Sequence, residues 1–118
     1  MTKIILTLLI LTSTIFAQDT NNQATKVILT LTVKAETKKE FMEFLDKNVP
    51  NVRSFEGCSQ VNLYFDEKTN EMVISENWQS KTHHGKYIEF ISKNGVMQSL
   101  ISFLQKEPSI KYYEALKI

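Results

Sequence analysis

From position 27 apolar and polar residues alternate. Val27, Leu29, Leu31 and Val33 fall on one face, and Ile28, Thr30, Thr32 and Lys34 on the other, which is the period of a β-strand. The second face is only mildly polar, so the pattern leaves room for it to be covered too. The period then lengthens. Thr37-Lys38-Lys39-Glu40 fits a capping box, in which the Thr hydroxyl and the Glu carboxylate each satisfy an unpaired backbone N–H at a helix start. Behind it Phe41, Phe44, Leu45, Val49, Val52 and Phe55 recur at helical spacing and predict a helix that buries an aromatic stripe. Pro50 falls inside this run and predicts a kink or interruption, and Gly57 predicts the end.

Alternation returns over residues 59–65, where Val61, Leu63 and Phe65 oppose Gln60, Asn62 and Tyr64. The polar stretch 66–70 has the length of a hairpin loop, so the next strand, residues 71–78, should run antiparallel to the one before. Ser80 is suited to cap a second helix with His84, Tyr87, Ile88 and Ile91 on one face, stopped by Asn94-Gly95. A shorter helix carries Met97, Leu100, Ile101 and Leu104 and closes before Pro108. Residues 110–116 read as a last strand, with Tyr112 and Tyr113 facing opposite ways. The order β-α-β-β-α-(α)-β defines an α+β chain of ferredoxin-like type, a four-stranded antiparallel sheet with helices on one face. Its other face would be an exposed apolar patch unless something packs on it, which suggests a second subunit.

The first 17 residues change the picture of where this domain works. One cation, Lys3, precedes the apolar run 4–11, then small and polar residues lead to Ala17, the order of a removable secretory signal with its cut before Gln18. A membrane span needs roughly 20 apolar residues, and this run is too short. The expected organisation is a signal peptide at 1–17, a flexible lead-in at 18–25 and one folded domain at 26–118, exported to the periplasm or secreted. Removing Lys3 leaves 13 Lys plus Arg against 13 Asp plus Glu. A neutral chain with interspersed charges has neither the footprint of a nucleic-acid binder nor a polybasic membrane anchor. Cys58 is the single cysteine. It excludes an intrachain disulfide and reads as a small buried hydrophobe at a strand start.

Three passages resemble the antibiotic biosynthesis monooxygenase superfamily, which includes quinol monooxygenase-like proteins. They are Val52-Arg53-Ser54-Phe55-Glu56-Gly57-Cys58, Ser75-Glu76-Asn77-Trp78-Gln79-Ser80-Lys81, and the stretch from Tyr87 through Gly95 into Leu100. The first two look like the family's "E-x-G-C" and "E-x-W-x-S" patterns. The resemblance implies a homodimer, a dimeric α/β barrel, with a pocket in each subunit between sheet and helices. It also implies, for some members, oxygenation of phenols or quinols with no metal or flavin. Such chemistry needs a dry aromatic pocket, a proton acceptor and a donor to the developing charge.

Within that frame the expected catalytic residues are His84 and Trp78. His84 would be a proton acceptor of near-neutral pKa, set against the common case of an exposed histidine at a helix start. The Trp78 indole would be a hydrogen-bond donor, set against a tryptophan that simply fills the core. Asn62 and Asn77 are candidate donors to a small aromatic or quinol-like ligand, and Tyr87, Phe90 and Ile91 candidate walls. His83 reads as surface. Adjacent helical histidines diverge by about 100° and no Cys or Asp/Glu cluster of ligand spacing accompanies them, so no metal site is expected; that no cofactor is used is what the resemblance implies. Family oxygenases can carry an asparagine where Ile74 stands here, which puts aromatic-polyketide chemistry in doubt. The first strand has no Asn, and Tyr87-Ile88-Glu89 stand where haem-degrading members carry a histidine, which disfavours haem degradation. The resulting expectation is a cofactor-independent monooxygenase acting on a quinol or phenol. The alternatives are a non-catalytic module that binds a small ligand in the same pocket and a dimeric interaction protein whose pocket is filled.

Overall fold

A computed structural model describes residues 23–118; the expected signal peptide lies outside them. The strands are β1 (Thr25–Thr32), β2 (Cys58–Asp66), β3 (Glu71–Trp78) and β4 (Ser109–Tyr113). The helices are α1 (Lys38–Ser54), α2 (Lys81–Lys93) and α3 (Val96–Ser102). The strands form one antiparallel sheet in the order β2-β3-β1-β4, the ferredoxin-like arrangement. Val27, Leu29, Leu31 and Val33 are all buried, together with Val61, Met72, Ile74 and Trp78 from the neighbouring strands. Phe41, Leu45 and Val52 of α1 and Tyr87 and Ile91 of α2 pack on that face. Among the described residues no helix is long and apolar enough to cross a membrane.

Three local expectations are corrected. Thr37 does not form a capping box: it closes a 3₁₀ turn (Ala35–Thr37), and its hydroxyl donates to the Lys34 carbonyl at 3.0 Å instead of accepting from the helix. Pro50 does not interrupt α1. Proline costs a helix the bond to the carbonyl four residues earlier, and here both Pro50 and Asp46 lie on the exposed side, while Phe41, Leu45 and Val52 hold the inner side down. The helix also ends before Gly57. Phe55 is already extended, with φ −71° and ψ 142°, and its ring reaches Tyr87 at 5.2 Å between centroids.

Gly57 then takes φ +93° and carries the chain into β2. Its missing Cβ matters, because a side chain there would meet the Cβ and ring of His83 at 2.6 Å. His83 is accordingly half-buried against the glycine, not a surface residue, and its Nδ1 lies 2.6 Å from the Ser80 hydroxyl. Ser80 caps α2 as its position suggested, accepting from the His83 N–H at 3.1 Å. Gly95, at φ +90°, separates α2 from α3. The last strand stops at Tyr113, three residues short of the expected end.

Candidate functional site

Antiparallel register places four side chains in one row across the inner face. Val61 pairs with Glu76, Glu76 with Val27, and Val27 with Tyr112. Glu76 and Tyr112 therefore stand on either side of Val27, about 10 Å apart for two strand spacings. His84, on the first turns of α2, hangs over this row and touches both. Its Nδ1 lies 2.8 Å from the Tyr112 hydroxyl and its Nε2 lies 3.8 Å from Glu76 Oε1. Trp78, two residues beyond Glu76 on the same face, donates its indole N–H to Glu76 Oε1 at 2.8 Å. The Trp78 and His84 rings meet edge to face with centroids 5.3 Å apart.

These groups are almost wholly removed from water: His84 is 1 % exposed, Trp78 2 % and Glu76 4 %. Burial opposes charge on Glu76 and on His84. It pushes Glu76 up from the ordinary carboxylate value, against the pull of the Trp78 N–H. It pushes His84 down to about 4. The two shifts oppose an ion pair, and 3.8 Å is too long for a hydrogen bond. His84 is thus neither an exposed histidine nor one of near-neutral pKa. It is a neutral imidazole whose Nε2 is buried without a hydrogen-bond partner. A Tyr112 hydroxyl that donates to Nδ1 places the ring proton on Nε2, facing the carboxylate. One that accepts leaves an Nε2 lone pair there.

The pair lines a narrow cavity of about 60 Å³ between sheet and helices, with walls that include Val52, Val61, Ile74, Tyr87 and Leu100. Outside it, a groove of about 400 Å³ runs between α1 and α2 past Asn51, Phe55 and Phe90; Asn48, Tyr87, Ile91 and Val96 line both spaces. The structure therefore brings His84, Trp78 and Tyr87 into one cluster and sets Ile91 in its wall. Phe90 lies on the outer groove, 53 % exposed. Asn62 and Asn77 are elsewhere: alternation turns both to the opposite sheet face, where Asn77 donates to Gln60 at 2.7 Å. Neither reaches the cavity. Tyr87 stays a phenol, its pKa raised by burial and by Glu76. Cys58 is half-buried, and the same two causes raise its thiol, the reverse of what an activated thiolate needs. No group of three or more metal-ligating side chains occurs among the described residues.

Glu76 and Tyr112 were not singled out in the sequence. The signal for Glu76 was present, because Met72, Ile74, Glu76 and Trp78 share one face of β3. A carboxylate among core positions breaks the binary pattern, as a functional side chain does. Tyr112 is inward by the same alternation, next to Ile110.

Fold and site together define a ferredoxin-like α+β protein with a carboxylate, an indole and a neutral imidazole gathered between sheet and helices. The family model of antibiotic biosynthesis monooxygenase matches residues 25–87, more than half of the 118, and the chain belongs to that family. Among solved structures it is similar to a conserved protein from Methanosarcina mazei Go1, with 22 % identity and a TM-score of 0.70 over 80 % of this chain and 95 % of that one. Rv0793 from Mycobacterium tuberculosis matches with 16 % identity and a TM-score of 0.71 over 81 % and 98 %. A candidate antibiotic biosynthesis monooxygenase from Caulobacter crescentus CB15 matches with 16 % and 0.72 over 82 % and 93 %. At these identities the likeness is one of fold. No curated protein sequence matches the chain.

Proposed function

We propose that this protein is an exported, homodimeric, cofactor-independent monooxygenase that hydroxylates a quinol or phenol with dioxygen. The observation that supports the reading best is the buried Glu76 carboxylate, held by the Trp78 N–H and facing the unpartnered Nε2 of His84 at the wall of a cavity. A carboxylate raised by burial is a stronger base than one in water. It takes the proton of a substrate hydroxyl, and the His84 and Trp78 N–H groups steady the charge on both partners. The quinolate then passes an electron to dioxygen and a C–O bond forms. One aromatic C–H and the O–O bond break, so that quinol plus dioxygen gives a hydroxyquinone plus water. All four electrons come from the substrate. That suits a protein beyond the cytoplasm, where reduced nicotinamide is not supplied.

The test is dioxygen consumption by the purified mature protein across a panel of hydroquinones. General acid–base groups contribute about 10²–10⁴-fold, so Glu76→Gln should lower kcat roughly a hundredfold or more, and His84→Ala should lower it too. Uptake no faster than autoxidation, with every quinol, overturns the reading. One observation favours a second reading, a non-catalytic ligand-binding or interaction module of the same fold: a cavity of about 60 Å³ does not admit an aromatic ring unless α3 or the Tyr87–Ile91 wall moves. A quinol that raises the melting temperature without being turned over would identify that module. Mass spectrometry of the exported protein tests the leader, with Gln18 as the expected first residue.

A further inference from the structure

The cavity beside Glu76 and His84 measures about 60 Å³. An apolar cavity of roughly 150 Å³ takes benzene or xenon and stays dry. A space less than half as large excludes a ring but has room for a diatomic gas. Its surroundings suit such a guest. Leu29, Val52, Val61, Ile74 and Leu100 supply aliphatic walls from three strands and two helices, and the polar side chains of the lining are Asn48, Glu76, His84 and Tyr87. A buried water needs two to four polar partners, and these aliphatic side chains provide none. The Glu76 carboxylate already accepts from Trp78, which leaves His84 Nε2 as the buried polar atom without a partner.

We infer that this cavity is a holding site for dioxygen, placed against the proton acceptor and occupied before the organic substrate enters. The gas sits between Val61, Ile74 and Leu100. The quinol ring waits in the outer groove and reaches the gas when the shared wall of Tyr87 and Ile91 opens. The identity of the gas rests on the oxygenase reading, whereas the site itself does not.

Xenon is the probe. Crystals of the mature protein under xenon pressure should show one xenon atom in the cavity, and dissolved xenon should perturb the methyl resonances of Val61 and Leu100. Val61→Ile and Leu100→Phe, each checked for native circular dichroism, fill the space and should abolish the bound xenon and the perturbation of the methyl resonances at whichever of the two residues is left unchanged. Neither residue belongs to the acid–base cluster. In steady-state kinetics the same variants should raise KM for dioxygen several-fold and leave KM for the quinol unchanged. An empty or fully hydrated cavity under xenon overturns the site, and an unchanged KM for dioxygen in a filled variant overturns its role. Failure of all quinols to turn over counts against the oxygenase reading alone, and the xenon result still decides whether the gas site exists.

Discussion

Tyr112 and His84 are 28 residues apart in the chain and meet at 2.8 Å, phenol oxygen to Nδ1. The contact ties the edge strand β4 to α2 across the face of Val27. It makes the shortest strand of the sheet part of the site, since Tyr112 is the hydrogen-bond partner of one imidazole nitrogen of His84. Lys81 lies over the Tyr112 ring, 4.7 Å from its centroid, and steadies the ring from the solvent side. Cluster and edge strand are thereby linked, so a change in β4 is felt at Glu76 through His84.

Replacing Tyr112 by Phe should therefore lower stability by about 1 kcal/mol, the cost of leaving a polar atom of a buried group unpaired where water has partial access. Urea denaturation measures this. Nitrogen-15 NMR of the imidazole should show one dominant tautomer in the parent protein and a mixture in the variant. A single unchanged tautomer would show that Tyr112 does not set the proton's position.

Stability should respond to acid with two opposing slopes. The folded-state pKa of His84, about 4, lies below its unfolded value near 6.5, so the unfolded chain binds the extra proton and stability falls as pH drops from 6.5 toward 4. The full effect is at most about 3 kcal/mol. Glu76 acts the other way: its folded pKa is raised, so the native state holds the proton longer and stability falls as pH rises from the unfolded value toward the folded one. Glu76→Gln should consequently steepen the loss of stability on acidification, and His84→Gln should flatten or reverse it. Denaturant midpoints between pH 4 and 7 decide the matter, and parallel curves for the three proteins would refute it.

Two glycines test how tightly the start of α2 is packed. Both have positive φ, near +90°. A Cβ at Gly95 meets nothing within 4 Å, whereas one at Gly57 strikes His83. Gly95→Ala should cost roughly 1–2 kcal/mol from the left-handed backbone alone. Gly57→Ala should cost more, and the excess should largely vanish in a His83→Gly background, because the His83 Cβ is itself among the atoms struck. Chemical denaturation of the four variants gives the coupling directly.

Much of this fold was legible because its elements are governed by period. β3 was bounded correctly from residues 71–78, and Ser80 and Gly95 punctuated α2 as their chemistry requires. What escaped was set by neighbours remote in sequence. Thr37 is turned from a cap by the Lys34 carbonyl, and Phe55 is drawn from helical geometry by a cluster of rings supplied by β3 and α2. The site divides the same way. Trp78 and His84 could be singled out by residue type and position, but the burial that makes His84 a neutral group comes from packing. The pairing of Glu76 with Tyr112 across Val27 is a matter of strand register. Asn62 and Asn77 had suitable chemistry on the wrong face, and alternation alone could have removed them.

The outer face of the sheet carries the last prediction. Thr30, Val73 and Tyr64 form its central row, flanked by Ile28 and Ser75 in the row beside it. Tyr64 is 60 % exposed. Val73 and Ile28 are only partly covered, though they sit on the two central strands. A homodimer that closes sheet to sheet would bury this face, and a two-fold interface presents each residue twice. Val73→Lys would then place two cations in one apolar contact, and an unpaired buried charge costs several kcal/mol. Light scattering should find the parent protein dimeric at micromolar concentration and the variant monomeric, with the circular dichroism of the two alike because Val73 points away from the core. A parent that is monomeric, or a variant that stays dimeric, would move the interface off this face.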